Sequence, residues 1–268
     1  MRRVICLANS YKHQGRCIAG IAVDSGEWIR PISELDDGRI PTNDSRIPSE
    51  QINLLDIVDI TLTKERGSGY ERENRLYTNQ NWNILGKAEV IQILRYREQQ
   101  LLYPEFGRKV PSAYLSKIKP AQTLQLIEVK QILWEKYEYA ESSKFKAFLL
   151  DEIYDCTEIG FSITDPITLS KLRQGQPVSS HCLLCMSFSQ PFQGSNDPEP
   201  MCYRLVAGVI ELLPEIEMIG QEMQRVGWTI TEGRSYLQTQ FSKESRYQLT
   251  DSEAQAVVQF LQTLPTAE

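Results

Sequence analysis

Two side chains in one short segment could form a site for a phosphate group or a nucleobase. The segment Glu27–Ile32 has the composition of a β-strand, and Trp28 and Arg30 are two positions apart in it. They therefore project from one face of the strand, and Ile29 projects from the other. An indole beside a guanidinium offers a stacking surface and a planar cation. A structural role explains the same pair, with Trp28 closing one end of a barrel and the stem of Arg30 packed on it.

A polar segment before this strand adds further candidate ligand-binding residues. It separates two apolar runs that favour strands, Arg3–Ala8 and Arg16–Val23. We expect the loop Ser10–Arg16 and the face of Trp28 and Arg30 to form one site on the outside of the first barrel. The expected ligand is single-stranded nucleic acid or a nucleotide-like molecule. The contributors are three cations, Lys12, Arg16 and Arg30, and two stacking rings, Tyr11 and Trp28.

The histidine and cysteine residues near position 182 invite a zinc interpretation. His181, Cys182 and Cys185, with Cys202, include the residue types that bind zinc tetrahedrally. Cys182 and Cys185 are three positions apart in an apolar β-run, so their thiols should face opposite sides of a sheet. No second C-x-x-C pair completes a coordination shell. We therefore predict no metal and no other cofactor.

Catalytic machinery is not apparent in the sequence. A Ser–Lys or Cys–His hydrolase could be imagined from the loop residues Ser10, Lys12 and His13 with Cys17. The chain lacks a G-x-S-x-G strand–elbow–helix pattern and the Gly-rich phosphate loops of nucleotide enzymes. The sequence favours a non-enzymatic protein, and a small hydrolase or nuclease using the same loop is kept as an alternative.

Composition limits the class of protein and the kind of site. The chain has 268 residues, 41% of them hydrophobic, so it can bury a core. Lys and Arg number 29 against 35 Asp and Glu, a net charge of −6 that disfavours indiscriminate binding to polyanions. A polyanion site must therefore be local. No apolar run approaches the roughly 18 residues of a membrane-spanning helix, the start does not resemble an export signal, and the scattered cysteines indicate a reduced, cytoplasmic protein.

Short segments with turn signals between them organise the first third of the chain. Asp24–Gly26 predicts a hairpin loop with glycine at the position that needs a left-handed backbone. Asp56–Lys64 alternates as a half-buried strand, the loop Glu65–Gly69 follows, and Lys87–Ile93 can form one more strand. Residues 1–94 are therefore predicted to form a small closed β-barrel.

A basic connector over residues 95–123 separates this barrel from a second one. The connector is predicted to contain a short helix near Ser112–Lys117. Its cations include Arg95, Arg97, Arg108, Lys109, Lys117 and Lys119. They could touch a phosphate backbone or pair with an acidic surface. Residues 124–212 form the second barrel, with a short inserted helix at Ile167–Leu172. Its predicted strands are Leu124–Trp134, Phe145–Leu150, Glu158–Thr164, Cys182–Phe188 and Cys202–Ile210.

The last segment, residues 213–268, changes to helical periodicity, and three short amphipathic helices are expected. Gly227 suits a C-terminal cap, and Thr229–Glu232 and Thr250–Glu253 match the capping box. Arg234, Lys243 and Arg246 could meet a phosphate backbone. A helical bundle that docks on the barrels or on another subunit explains the same residues.

The N-terminal motifs resemble the dual OB-containing domain family of prokaryotes. They are Cys6–Lys12, Gly15–Gly20 and Gly26–Pro31, and a looser similarity continues through Glu73–Asn74 and Trp82. The resemblance covers roughly residues 1–212. One departure is that Glu71–Arg72 stands where the family tends to carry a Gln–Pro pair.

The resemblance implies a mainly β fold of two tandem OB-like β-barrels, here followed by a small α-helical C-terminal segment. It also implies nucleic-acid binding. The family is found in bacterial and archaeal proteins, which include components of defence systems. The resemblance adds Glu73, Asn74 and Trp82 to the candidate ligand-binding residues. Fold alone does not establish function. A protein–protein adaptor, with barrels and tail holding a neighbouring effector, is the alternative from another class.

Overall fold

A computed structural model describes residues 1–63, 69, 71–78, 80–118, 121–139, 142–151, 154 and 157–267. Two seven-stranded sheets are followed by a helical tail, so the expected mainly β fold is confirmed. The sheets are open rather than closed into barrels, because each strand order runs from one edge to another. Lys64, most of the loop Glu65–Gly69, Lys119 and Cys156 lie outside the described residues.

The first sheet has the strand order β6-β3-β2-β1-β5-β7, with β4 paired to β2. Most neighbouring strands are antiparallel, and β3 and β6 are parallel. The strands are β1 Arg2–Lys12, β2 Gly15–Ala22, β3 Trp28–Ile32, β4 Ile40–Pro41, β5 Asp56–Ile60, β6 Asn74–Leu76 and β7 Asn83–Lys87.

The second sheet has the order β10-β11-β12-β14-β13-β9, with β8 paired to β14. It also holds one parallel pair, β12 with β14. The strands are β8 Lys109–Pro111, β9 Leu124–Val129, β10 Ile132–Tyr139, β11 Ser142–Leu149, β12 Gly160–Ile163, β13 Cys182–Phe188 and β14 Met201–Glu211.

Three helices accompany the sheets and three form the predicted tail. They are α1 Val90–Leu94, α2 Ser112–Lys117, α3 Pro166–Arg173, α4 Pro214–Arg225, α5 Ile230–Phe241 and α6 Asp251–Thr263. The capping boxes at Thr229 and Thr250 are both present, and Gly227 follows α4 with a positive φ of 72°. No helix within the described ranges is long and apolar enough to cross a bilayer.

Three local predictions were wrong. The predicted strand Leu124–Trp134 is two strands, β9 and β10, because the chain bends at Lys130, and they lie at opposite ends of the second sheet's strand order. The segment from Asn9 to Lys12 is not a loop, because β1 and β2 remain paired until the turn at His13, so Asn9 and Ser10 are buried. Lys87–Ile93 is not a strand, because α1 starts within it. The backbone N–H of Glu89 donates to the Oε1 of Gln92 at 2.8 Å and caps this helix.

Each sheet has an apolar core on one face and shares a further core on the other. In β1, Val4 and Cys6 face the core of the first sheet, while Ile5 and Leu7 face the shared core. The second sheet contributes Leu183 and other residues of β13, β14 and β9 to that shared core. The central strands are therefore buried on both sides, which explains why Val4 to Ala8 is a continuous apolar run.

The two sheets approach closely where β1 meets β14. Both strands are irregular here: the β1 register shifts between Cys6 and Ala8, and that of β14 shifts opposite Cys185 and Met186. A Cβ atom added to Gly208 would lie 2.0 Å from the carbonyl oxygen of Leu7. Only glycine permits this backbone-to-backbone contact.

Gly208→Ala is therefore expected to force the sheets apart and to lower the free energy of unfolding by about 2–4 kcal/mol. Gly175→Ala is the matched control, because an added Cβ there has open space and strains only a positive φ of 66°. It should cost about 1 kcal/mol. Urea unfolding measures both, and equal losses in the two variants would contradict the close approach.

Candidate functional site

The face that carries Trp28 and Arg30 is covered by the second sheet. Trp28 packs against the shared core and Arg30 is only 7% exposed, so the prediction that they share a face is confirmed but the face is not free. Arg30 donates from Nη1 to the Oδ1 of Asn74 at 3.3 Å and from Nη2 to two hydroxyls. These are the Oγ1 of Thr123 at 3.1 Å and the Oγ of Ser187 at 3.3 Å.

Glu73 completes this buried polar cluster. Its Oε1 accepts from the backbone N–H of Thr123 at 2.5 Å and of Leu124 at 3.1 Å, and its Oε2 accepts from the Thr123 hydroxyl at 3.3 Å. Burial lowers the pKa of Arg30, but the nearby Cys17 and the Glu73 carboxylate more than offset this and raise it. Arg30 thus remains a cation and joins the two sheets, because Asn74 belongs to the first sheet and Thr123 and Ser187 lie beside or within the second.

The remaining predicted residues are dispersed. Trp82 is 3% exposed in the core of the first sheet, and Ser10 is buried beside the carbonyl of Cys17. Lys12 donates to the backbone oxygen of Asp37. The expected positive island of Lys12, Arg16, Trp28 and Arg30 on the outer surface is therefore wrong. The second sheet covers Arg30, the indole of Trp28 packs against the shared core, and Arg16 is buried elsewhere, beneath Tyr11.

Tyr11 and Arg16 do meet, in a cleft of about 480 Å³ between the first sheet and α3. We call it the Arg16 cleft. The guanidinium of Arg16 lies 4.3 Å from the centre of the Tyr11 ring, and its Nη2 is 3.7 Å from the Oε1 of Glu50. The opposite wall includes Pro166 and Lys171.

A larger cleft of about 940 Å³ lies where the helical tail meets the rest of the molecule. We call it the tail cleft. One wall comes from α1 and the residues that follow it, the floor includes Glu128 of β9, and the other wall comes from the tail. Its lining cations are Arg95, Arg97, Lys130, Arg234 and Arg246, and its aromatic rings are Tyr154, Trp228, Tyr236 and Tyr247.

The tail cleft brings together cations that are far apart in the sequence. Arg97 pairs with Glu128, and Lys130 pairs with Glu217 at 3.1 Å. Among the residues that the structure describes, no ion pair joins Arg95, Arg234 or Arg246 to a carboxylate. Two basic segments considered from the sequence, the connector and the tail, therefore place unpaired arginines in one cleft.

Glu128 links three parts of the molecule at the floor of this cleft. Its carboxylate pairs with Arg97 of the connector, its Oε1 lies 2.8 Å from the Nε2 of His181, and the hydroxyl of Tyr247 in the tail lies 3.3 Å from the same oxygen. Sequence reasoning missed this residue. The available signal was a lone acidic side chain inside the apolar run Leu124–Val129.

His181 is 3% exposed, and its Nδ1 has no partner within the described part of the chain. Burial lowers the pKa of this imidazole, with Glu217 opposing the shift and Lys130 and Arg246 adding to it. Loss of hydration of the charged ring outweighs the attraction of the nearby carboxylates. The neutral ring is therefore the stable form at neutral pH.

The geometry around the cysteines does not resemble a metal centre. Cys182 faces the core of the second sheet and Cys185 faces the shared core, so the prediction that they point to opposite sides is confirmed. Burial raises the pKa of both thiols, which opposes formation of the thiolate that zinc requires. No cluster of three metal-ligating side chains occurs among the residues described here.

Comparison with known proteins gives one positive result. A family model described as the dual OB-containing domain matches residues 2–209, which span both sheets and end within β14, before the helical tail. Neither the curated proteins nor the solved structures include a significant match to the chain.

The buried neutral His181 predicts a pH dependence of stability. Its pKa is lower in the folded than in the unfolded chain, so its contribution is fully present above about pH 6.5 and is lost as the pH falls below that value. Replacing it by His181→Gln should make the fall in stability between pH 7.5 and 5 shallower, by at most about 1.4 kcal/mol per pH unit. Chemical denaturation at several pH values measures the slopes.

His13→Gln is the control, because the chain has two histidines and the His13 side chain is 71% exposed. It should retain the wild-type slope. A wild-type slope in the His181→Gln variant would contradict the assignment.

Proposed function

The chain belongs to the dual OB-containing domain family, and on that premise we propose that it is a recognition protein that binds single-stranded nucleic acid or a nucleotide-like ligand in the tail cleft. The family supports a binding role for the fold, and the chemistry of the cleft supports the ligand class. A prokaryotic defence or DNA-processing context is part of the proposal.

One observation carries the proposal: three arginines without carboxylate partners in the described residues line a cleft that also presents aromatic rings. Arg95 and Arg234 are exposed and Arg246 is half-buried. Guanidinium groups bind phosphate oxygens through paired hydrogen bonds. Because the protein as a whole carries −6, a polyanion site must be local, and the cleft lining holds five cations against the four carboxylates of Glu98, Glu128, Asp151 and Glu244.

The rings are suited to contact bases. Trp228 and Tyr236 are half-buried, and Tyr236 is held by a parallel stack on Phe260 with 4.5 Å between ring centres. Tyr247 is fixed through its hydroxyl to Glu128. Rings with fixed positions lose little freedom on binding, and stacking of a base on such a ring contributes about 1–3 kcal/mol.

Binding without chemistry is the activity that this site supports. Glu128, the half-buried carboxylate at the floor, is occupied by Arg97, His181 and Tyr247. A general base needs a free position from which to reach a substrate proton. The volume of about 940 Å³ is within the range of about 300–1,000 Å³ for ligand sites.

The double variant Arg95→Ala/Arg234→Ala tests the proposal. Both side chains are exposed, so the fold should persist, and the affinity for a fluorescent single-stranded DNA or RNA oligonucleotide should fall at least about tenfold at low salt. If each arginine contacts one phosphate, the slope of log K against log salt should become shallower by about 1.4. Fluorescence anisotropy across a salt series gives both quantities, and competition by mononucleotides identifies the smallest ligand bound.

Arg173→Ala, an exposed arginine of α3 outside the tail cleft, is the matched control and should bind as the wild type does. Absence of wild-type binding at low salt, or equal effects of Arg173→Ala and the double variant, would contradict the proposal. A stable complex with a protein partner in a pull-down, together with indifference to oligonucleotides, would favour the adaptor instead.

A further inference from the structure

We propose that the Arg16 cleft is a second, independent binding site for a small phosphate monoester that carries a neighbouring hydroxyl group. This site does not depend on the tail cleft or on the ligand proposed for it. It is formed by β1, β2 and the loop after Ser49 on one side and by α3 on the other.

Three polar or charged side chains of the cleft are buried, which is uncommon for these residue types. Asn9 and Arg16 are each 7% exposed, and Asp165 is 3% exposed. The amide Nδ2 of Asn9 donates to the carbonyls of Ser49 and Ile52, both at 2.7 Å, and so fixes the loop that forms one wall. The site is therefore preorganised.

Two buried polar atoms in this cleft have no partner within the described part of the chain. They are the Oδ1 of Asn9, an acceptor, and the Nε of Arg16, a donor. An unsatisfied buried polar group costs about 1–3 kcal/mol. A ligand that brings an oxyanion to Arg16 and a hydroxyl donor to Asn9 would satisfy both groups.

The groups that now cover Arg16 can move. Tyr11 lies over the guanidinium and is 55% exposed, and the Glu50 side chain is 64% exposed. At 3.7 Å the Glu50 carboxylate is too far from Nη2 for a hydrogen bond, so it forms a loose ion pair. A phosphate can replace this carboxylate and make the closer paired hydrogen bonds that a guanidinium favours.

The other charged groups of the cleft are already bound. Lys171 pairs with Glu211 at 2.5 Å. Asp165 accepts from the backbone N–H groups of Ile167 and Val209 and from the Thr168 hydroxyl. Of the two cations that line the cleft, Arg16 has the looser carboxylate partner, so it is the one that an anionic ligand would bind.

Size limits the ligand to a small molecule. The volume of about 480 Å³ is half that of the tail cleft and near the lower end of the range for ligand sites. A phosphorylated sugar or a mononucleotide has the required oxyanion and neighbouring hydroxyl, and the Tyr11 ring can pack against its sugar or base.

Titration calorimetry with ribose 5-phosphate, inorganic phosphate and ribose tests the assignment. Ribose 5-phosphate should bind most tightly, inorganic phosphate more weakly, and uncharged ribose not measurably. Glu50→Gln removes the competing carboxylate and should tighten binding about two- to fivefold. Arg16→Gln removes the cation and should weaken binding at least about tenfold.

The opposite signs expected of these two variants distinguish a binding role from a structural one. Glu50 is exposed, so Glu50→Gln should fold. Its affinity for ribose 5-phosphate therefore tests the binding role even if circular dichroism shows that Arg16→Gln does not fold. Absence of wild-type binding at millimolar ribose 5-phosphate, or unchanged affinity in Glu50→Gln, would overturn the proposal. The Arg95→Ala/Arg234→Ala variant should bind as the wild type does, and a loss there would place the ligand in the tail cleft and also overturn it.

Discussion

Burial of the central strands on both faces is the constraint on which the rest of this structure depends. Strands β1 and β2 of the first sheet and β9, β13 and β14 of the second each place alternate side chains in two cores. The shared core holds the sheets at the distance set by Gly208 against the carbonyl of Leu7. Burial of each Leu or Ile side chain contributes about 1.5–3 kcal/mol to the free energy of unfolding. Separating the sheets would therefore expose a large apolar surface to water and destabilise both sheets.

This packing determines where ligands can bind. A sheet face is the usual place for an OB-fold to receive a nucleic acid, but here the face with Trp28 and Arg30 is used to join the two sheets. Arg30 becomes a buried link to Thr123 and Ser187, with Glu73 beside it. Two clefts lie at seams of the structure, one where α3 meets the first sheet and one where the tail meets α1 and the end of β9.

The sequence was sufficient for elements with strong local signals. The hairpin at Gly26, strand Cys182–Phe188, helix Ser112–Lys117 and the capped tail helices follow from turn chemistry, alternation and capping boxes. The sequence did not show which side chains are exposed to solvent. Alternation in β3 places Trp28 and Arg30 on one face, but a buried arginine with hydroxyl partners and an exposed one have the same local sequence.

The convergence of Arg95 with Arg234 and Arg246 could not be predicted for a related reason, since no local pattern brings residue 95 to residue 234. The meeting of Glu128, His181 and Tyr247 likewise depends on how the tail docks. Each segment shows its own charge in the sequence, but only the packed tail shows which charges remain unpaired.

Native-state hydrogen exchange of the backbone amides in β1 and β14 tests the central claim most directly, because these strands meet at the shared core. If the two sheets form one cooperative unit, the slowest amides of both strands should exchange with the same free energy, equal to that of global unfolding. Exchange of one strand through an opening several kcal/mol less costly, while the other stays protected, would show that the sheets are independent and would contradict the account.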